Sequence, residues 1–136
     1  MQKLHIIPTP STPEILFSPE ENVFLVQGNS SPANVEALYS PVIEWFRAFV
    51  NEILEKKGSK YTRENPLTFQ VDFSYYNSST ALFILEIFSE LKRLPPHDIP
   101  IVVKWFHNEE DIDMKEDGID IAFLAGIELT YIPKKE

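Results

Sequence analysis

Cysteine is absent from this chain, and that excludes disulfide staples, thiolate nucleophiles and cysteine-built zinc sites. Positive charge is scarce: 12 Lys and Arg stand against 21 Asp and Glu, a formal net charge of −9. Such a balance argues against a nucleic-acid binder and against attraction to anionic membranes. No stretch approaches the roughly 20 apolar residues needed to cross a bilayer. The opening run Met1-Gln2-Lys3-Leu4-His5-Ile6-Ile7-Pro8 has neither a long apolar segment nor a small-residue cleavage pattern. No signal peptide is therefore expected, and the expected location is the cytoplasm. The histidines His5, His97 and His107 form no ligand pair and stand near no nucleophile motif.

What is present is ordinary globular material. A hydrophobic fraction of 43% and a charged fraction of 24% over 136 residues suit one domain that buries roughly two-thirds of its unfolded surface. Residues 1–136 are read as that single domain, with residues 1–13 as an extended leader. Pro8, Pro10 and Pro13 each fix their own φ and push the preceding residue out of the α region. Ile15 to Phe17 and Asn22 to Gln27 read as strands joined by Ser18-Pro19-Glu20-Glu21, a turn with proline in its second position.

Val35, Leu38, Val42, Phe46, Phe49 and Ile53 recur at helical spacing. Ser31-Pro32 and Ser40-Pro41 each resemble a cap followed by proline at the first helical position, which predicts two helical pieces with a bend. Lys56 to Asn65 is a polar, basic loop. Leu67 to Phe73 alternates strictly, as a strand with one buried face does. A helix follows from Ala81, with Lys92-Arg93 and Pro95-Pro96 as stop signals. Then come a strand from Ile99 to Phe106, a short acidic helix from Asp111 to Phe123, and a last strand from Ile127 to Ile132. Alternating strands and helices give a mixed, mostly parallel sheet with an N-terminal hairpin and helices mainly on one face, an α/β two-layer sandwich.

In such a sheet the strand-to-helix loops converge at the C-terminal strand edge. Three loops qualify: Gly28 to Asn34, Tyr76 to Thr80, and His107 to Met114. In the second, Ser78, Ser79 and Thr80 sit where a helix begins, beside free backbone N–H groups and the positive end of the helix dipole. Capping is the simplest role for those hydroxyls. A phosphate acceptor is the other, because the same donors hold phosphate. The acidic loop either complements the helix dipole or binds a divalent metal. Asp111-Ile112-Asp113-Met114-Lys115-Glu116 does not fit an EF-hand, which wants a ligand and glycine where lysine and glutamate stand. Trp45 and Trp105 are read as core.

Four segments occur together in order: Ser11-Thr12-Pro13-Glu14-Ile15, Gln27-Gly28-Asn29-Ser30-Ser31-Pro32-Ala33-Asn34, Tyr76-Asn77-Ser78-Ser79-Thr80, and Trp105-Phe106-His107 running into Glu110-Asp111-Ile112-Asp113-Met114. In this the chain resembles the SiaC family of bacterial regulatory phosphoproteins, small STAS-like domains, from about Ser11 to the last strand. The resemblance implies a partner switch without catalysis, cofactor or metal. A dedicated serine/threonine kinase would phosphorylate the first hydroxyl after the Tyr-x-Asn element, here Ser78 with Ser79 and Thr80 as fallbacks, and a PP2C-type phosphatase would release it. The unphosphorylated form would bind and activate a diguanylate cyclase, raising cyclic di-GMP. The family commonly has threonine at this first position. It also has Gly-x-Ser-Tyr-Pro-Glu-Asn where this chain reads Gly28 to Asn34. Partner contacts are expected at Asn77, Ser30, Ser31, Pro32, Asn34, Asp111 and Asp113. Two other classes stay open, a constitutive binding scaffold and a small metal-dependent enzyme using Asp111 and Asp113. Homodimerisation through the wetter sheet face is also open.

Overall fold

The computed structural model describes residues 1–56 and 59–135. Its order is β1 (Leu4–Ile6), β2 (Glu14–Ser18), β3 (Val23–Ser30), α1 (Val35–Glu55), β4 (Leu67–Tyr76), α2 (Ser78–Leu91), a 3₁₀ turn at Pro95–His97, β5 (Ile101–Asn108), α3 (Ile112–Ala125) and β6 (Thr130–Lys134). The six strands form one sheet in chain order. β1, β2 and β3 run antiparallel, and β3, β4, β5 and β6 are parallel to one another. Each crossover helix joins neighbouring strands in the same direction, so a common handedness puts all three helices on one face. There α1 packs on α2, and α2 on α3. The expected two-layer mixed sandwich with an N-terminal hairpin is what forms.

Alternation along β4 explains the layering. Leu67, Phe69, Val71 and Phe73 are buried beneath the helices, while Thr68, Gln70 and Asp72 are half-buried on the open face. The core is dominated by aromatic rings. Phe17, Phe24, Phe46 and Phe69 meet at centroid distances of 5.5–6.3 Å in tilted or edge-on pairs, the geometry that ring quadrupoles favour. Trp105 is buried against Phe88, and Trp45 flanks Phe17 and Phe49 at the margin. Gly118 lets α3 approach the Trp105 ring, since a Cβ there would lie 2.7 Å from Nε1.

Three expectations need correction. The first 13 residues are not merely an extended leader, because Leu4–Ile6 pairs with β2, Trp45 Nε1 donates to the Gln2 carbonyl at 3.1 Å, and Ser31 N–H donates to Ser11 O at 2.8 Å. Hydrophobic Leu4 and Ile6 pack on the core and draw that segment in. The two predicted helical pieces are one helix through Pro41. Pro41 and Ala37 are both exposed, so the carbonyl that loses its donor faces water and the helix tolerates the proline. α1 starts at an Asn34 cap rather than at Ser31. In the basic loop, Lys57 and Gly58 lie outside the described residues.

Candidate functional site

All three helix starts sit at the C-terminal strand edge, and each is capped by an amide or carboxylate. Asn34 Oδ1 accepts from Ala37 N at 3.0 Å, Asn77 Oδ1 from Thr80 N at 2.9 Å, and Asp111 Oδ1 from Met114 N at 3.0 Å. These bonds satisfy donors that a helix start leaves without intrahelical partners. Asn77, Asn34 and Asp111 were expected as partner contacts, and the structure gives each of them a capping role. Asn34, Asp111 and Asp113 are exposed, while Asn77, Ser31 and Pro32 are half-buried.

The three hydroxyls after Asn77 have divergent fates. Thr80 is fully buried and bound into a chain of polar atoms. Tyr39 Oη lies 2.8 Å from Ser30 Oγ, Ser30 Oγ lies 2.8 Å from Thr80 Oγ1, and Thr80 Oγ1 lies 2.7 Å from Asn77 Oδ1. Asn77 Oδ1 accepts the Thr80 N–H and so is the carbonyl end of its amide. It must therefore also accept the Thr80 hydroxyl proton. That fixes the direction of the chain: Tyr39 donates to Ser30, Ser30 to Thr80, and Thr80 to Asn77. Burial raises Tyr39 to about 12, opposed by its hydroxyl partners, and keeps it a donor. Asn77 N–H in turn donates to Ser30 O at 3.1 Å. The network ties β3, α1 and the start of α2 together.

Two expectations change as a result. Ser30, fully buried, positions the helix start and cannot touch a partner in this conformation. Thr80 is likewise unavailable as a fallback acceptor, since reaching its hydroxyl requires unwinding the first turn of α2. Ser78 and Ser79, by contrast, are exposed and make no hydrogen bond through their hydroxyls among the described residues. Asn77 has taken the capping role that the sequence assigned to them.

Acidic charge comes close to this junction. Tyr76, the residue before Asn77, donates from its hydroxyl to Asp117 Oδ2 at 2.9 Å. Burial pushes the Tyr76 phenol well above its ordinary range, and Asp117, Asp111 and Asp120 push it further. The loop convergence expected from topology is therefore real, although the link runs from Tyr76 to Asp117, a residue the sequence had not singled out. A second feature also had no sequence signal. β4 and β5 pair from Leu67 and Ile101 only as far as Val71 and Trp105, and beyond that point a cleft of about 460 Å³ opens. Phe73, Ser74, Asn108, Asp111, Met114 and two lysines line it. Among the described residues no group of three or more His, Asp or Glu is placed to hold a metal. No helix is long and apolar enough to cross a membrane among those residues.

Fold and edge together define a small α/β domain that presents spare hydroxyls at a capped helix start bordered by carboxylates. Residues 6–133 match the model of the SiaC family regulatory phosphoproteins, and the chain belongs to that family. It is 26% identical over 120 residues to an uncharacterized protein of Pseudomonas aeruginosa strain UCBPP-PA14, covering 86% of this chain and 87% of that one. Among solved structures it is similar to apo-SiaC from Pseudomonas aeruginosa, with a TM-score of 0.78, 23% identity, and coverage of 96% of this chain and 98% of that one. It is also similar to a chain in the crystal structure of the diguanylate cyclase SiaD in complex with its activator SiaC, from the same organism. There the TM-score is 0.76 at 22% identity, covering 98% of this chain and 99% of that one. At these identities the structural likeness carries the fold.

Proposed function

We propose that this protein is a non-enzymatic regulator whose switch is phosphorylation of the Ser78 hydroxyl, and that the unmodified form docks on a signalling target such as a diguanylate cyclase. One observation carries the reading: Asn77 already caps α2, so the exposed Ser78 hydroxyl is left without a structural task. A serine/threonine kinase would transfer the γ-phosphoryl of ATP to Ser78 Oγ, releasing ADP and passing the hydroxyl proton to a base of its own. A PP2C-type phosphatase would hydrolyse the ester. Ser79 is the second-ranked acceptor, being exposed as well.

The phosphate adds about −1.5 to −2 charge at neutral pH. The first N–H groups of α2 attract it, while Asp117 and Asp111 repel it. Its bulk and hydration oppose any partner that packs against this edge. The family membership and the complex of a structural relative with a cyclase support the reading. Mass spectrometry after incubation with the cognate kinase tests it. The expected result is a single phosphate on the peptide carrying Ser78, lost in Ser78→Ala, with target affinity reduced about a hundredfold, or ~2.7 kcal/mol. Equal affinity of the modified and unmodified forms refutes the switch and leaves a constitutive scaffold. Phosphate surviving in Ser78→Ala refutes the site.

A further inference from the structure

The helical layer ends at α3, and that end is unfinished. Gly118, Ile121, Ala122 and Ala125 bury one face of α3 against the sheet, and Asp117 turns toward Tyr76 at the end of β4. On the flank facing away from α2, Ile112, Ile119 and Phe123 follow at spacings of seven and four residues and so form one stripe. They are 67%, 45% and 84% exposed. Between this stripe and the last strand runs a groove of about 490 Å³ with Ile112, Ile119, Tyr131 and Pro133 along it. Glu109, Asp111 and Glu116 also line it, and its one lysine, Lys115, lies over the Tyr131 ring at 5.8 Å.

We infer that this groove is a docking site for a basic amphipathic helix of a partner protein, which would lie beside α3 as a fourth member of the helical layer. Charge selects the occupant. Three carboxylates against one ammonium make the rim acidic, on a chain whose net charge is −9. A second copy of this chain would bring the same acidic surface and be repelled. An added β-strand is disfavoured because Pro133, which has no N–H, lies within the edge strand β6, as proline blunts sheet edges elsewhere. An apolar stripe with Lys or Arg on its borders satisfies both the groove and its rim. α3 spans 14 residues, or about 21 Å, which matches three to four turns of a partner helix. The surface is separate from the Ser78 hydroxyl, and the inference does not depend on phosphorylation.

The test uses the full chain and two synthetic helical peptides of about five turns. Both carry leucine at helical i, i+3, i+4 and i+7 spacing, one with lysine and one with glutamate on the remaining face. Binding is followed by fluorescence anisotropy at 0.15 M salt, where screening weakens nonspecific attraction, and the contact is mapped by amide chemical shifts. The lysine peptide should bind at least tenfold more tightly than the glutamate peptide and shift resonances of α3 and β6. The double variant Ile119→Ser, Phe123→Ser removes only exposed side chains and should weaken binding at least tenfold, whereas Leu82→Ser on α2 should not. Binding untouched by the double variant, shifts confined to α2 or the open sheet face, or equal binding of both peptides overturns the proposal. So does sedimentation showing a dimer of the chain that the double variant dissolves.

Discussion

Replacing Thr80 with valine separates the structural hydroxyl at the α2 start from the spare one. Valine keeps the branched shape, so the packing around a fully buried position changes little. What disappears is the link between Ser30 Oγ at 2.8 Å and Asn77 Oδ1 at 2.7 Å. Asn77 Oδ1 retains the Thr80 N–H, so the helix cap survives. Ser30 fares worse, because its proton loses its acceptor in a site without solvent. An unsatisfied buried donor costs about 1–3 kcal/mol, and the lost bond itself about 1 kcal/mol net. The expected destabilisation is therefore roughly 2–4 kcal/mol, or a fall in Tm of roughly 6–20 °C for a chain of this size. Urea unfolding gives the number directly, as a lower midpoint at unchanged slope. Ser30→Ala should cost less in the valine background than in the native protein, with coupling near 1 kcal/mol. A Thr80→Val protein within 0.5 kcal/mol of the native one, or strictly additive costs, would refute the directed chain from Tyr39 to Asn77.

The remaining expectations are simpler to check. Ser78→Ala should leave the urea midpoint within about 0.5 kcal/mol, as an exposed side chain without a partner should; a larger loss would assign that hydroxyl a structural task. Gly118→Ala should destabilise by about 1–2 kcal/mol, because displacing the Trp105 ring outweighs the ~1 kcal/mol that alanine brings to a helix. Its tryptophan emission should also shift as the Trp105 Nε1 bond to Met114 O is disturbed; unchanged emission and equal stability would contradict the close approach. Burial raises Tyr39 and Tyr61 to about 12 and raises Tyr76 as well. Their contribution is complete below the unfolded value near pH 10 and is lost as pH rises toward the folded values, at up to ~1.4 kcal/mol per pH unit for each tyrosine. Absorbance at 295 nm should accordingly complete its rise only with alkaline unfolding. A complete rise in the intact fold, covering all five tyrosines, would contradict the burial.

The order of elements was legible because strand alternation and helical spacing are local. The strict pattern from Leu67 to Phe73 announced β4, although the strand runs three residues further to Tyr76. Pairing with β3 supplies that extension, since Ser30 stands opposite Tyr76. The caps were misjudged for a related reason. Ser-Pro pairs near the α1 start and the hydroxyls of Ser78, Ser79 and Thr80 at the α2 start offered familiar start signals, yet Asn34 and Asn77 take the role, and each accepts an N–H three residues on. Asparagine is among the preferred N-cap residues, so both junctions carried a usable sign. Long-range partners left no trace in the sequence. Ser30 meets Tyr39 and Thr80 across 9 and 50 residues of chain, and Tyr76 meets Asp117 across 41. The groove beside β6 also depends on which flank of α3 lacks a neighbour, a matter of assembly rather than of periodicity.

The acidity of the Ser78 edge constrains how a phosphate could release a target. A basic partner held there by charge would be drawn closer by two further negative charges, not expelled. Release therefore needs a contact in which the phosphate is buried or blocked. The side chains around Ser78 suit that requirement. Leu82, one turn later on the same helix face, is 64% exposed, and Tyr75 at the strand end is 55% exposed. A target packing on Leu82 meets Ser78 on the same helix face, one turn away. A hydroxyl is tolerated in such a contact, whereas a dianion must shed water that nothing in the contact replaces. The acid-rimmed groove of α3 makes the opposite demand on its occupant, namely positive charge. Two surfaces with such different requirements can engage different partners, or different parts of one partner, and a phosphate at Ser78 would disturb only the first.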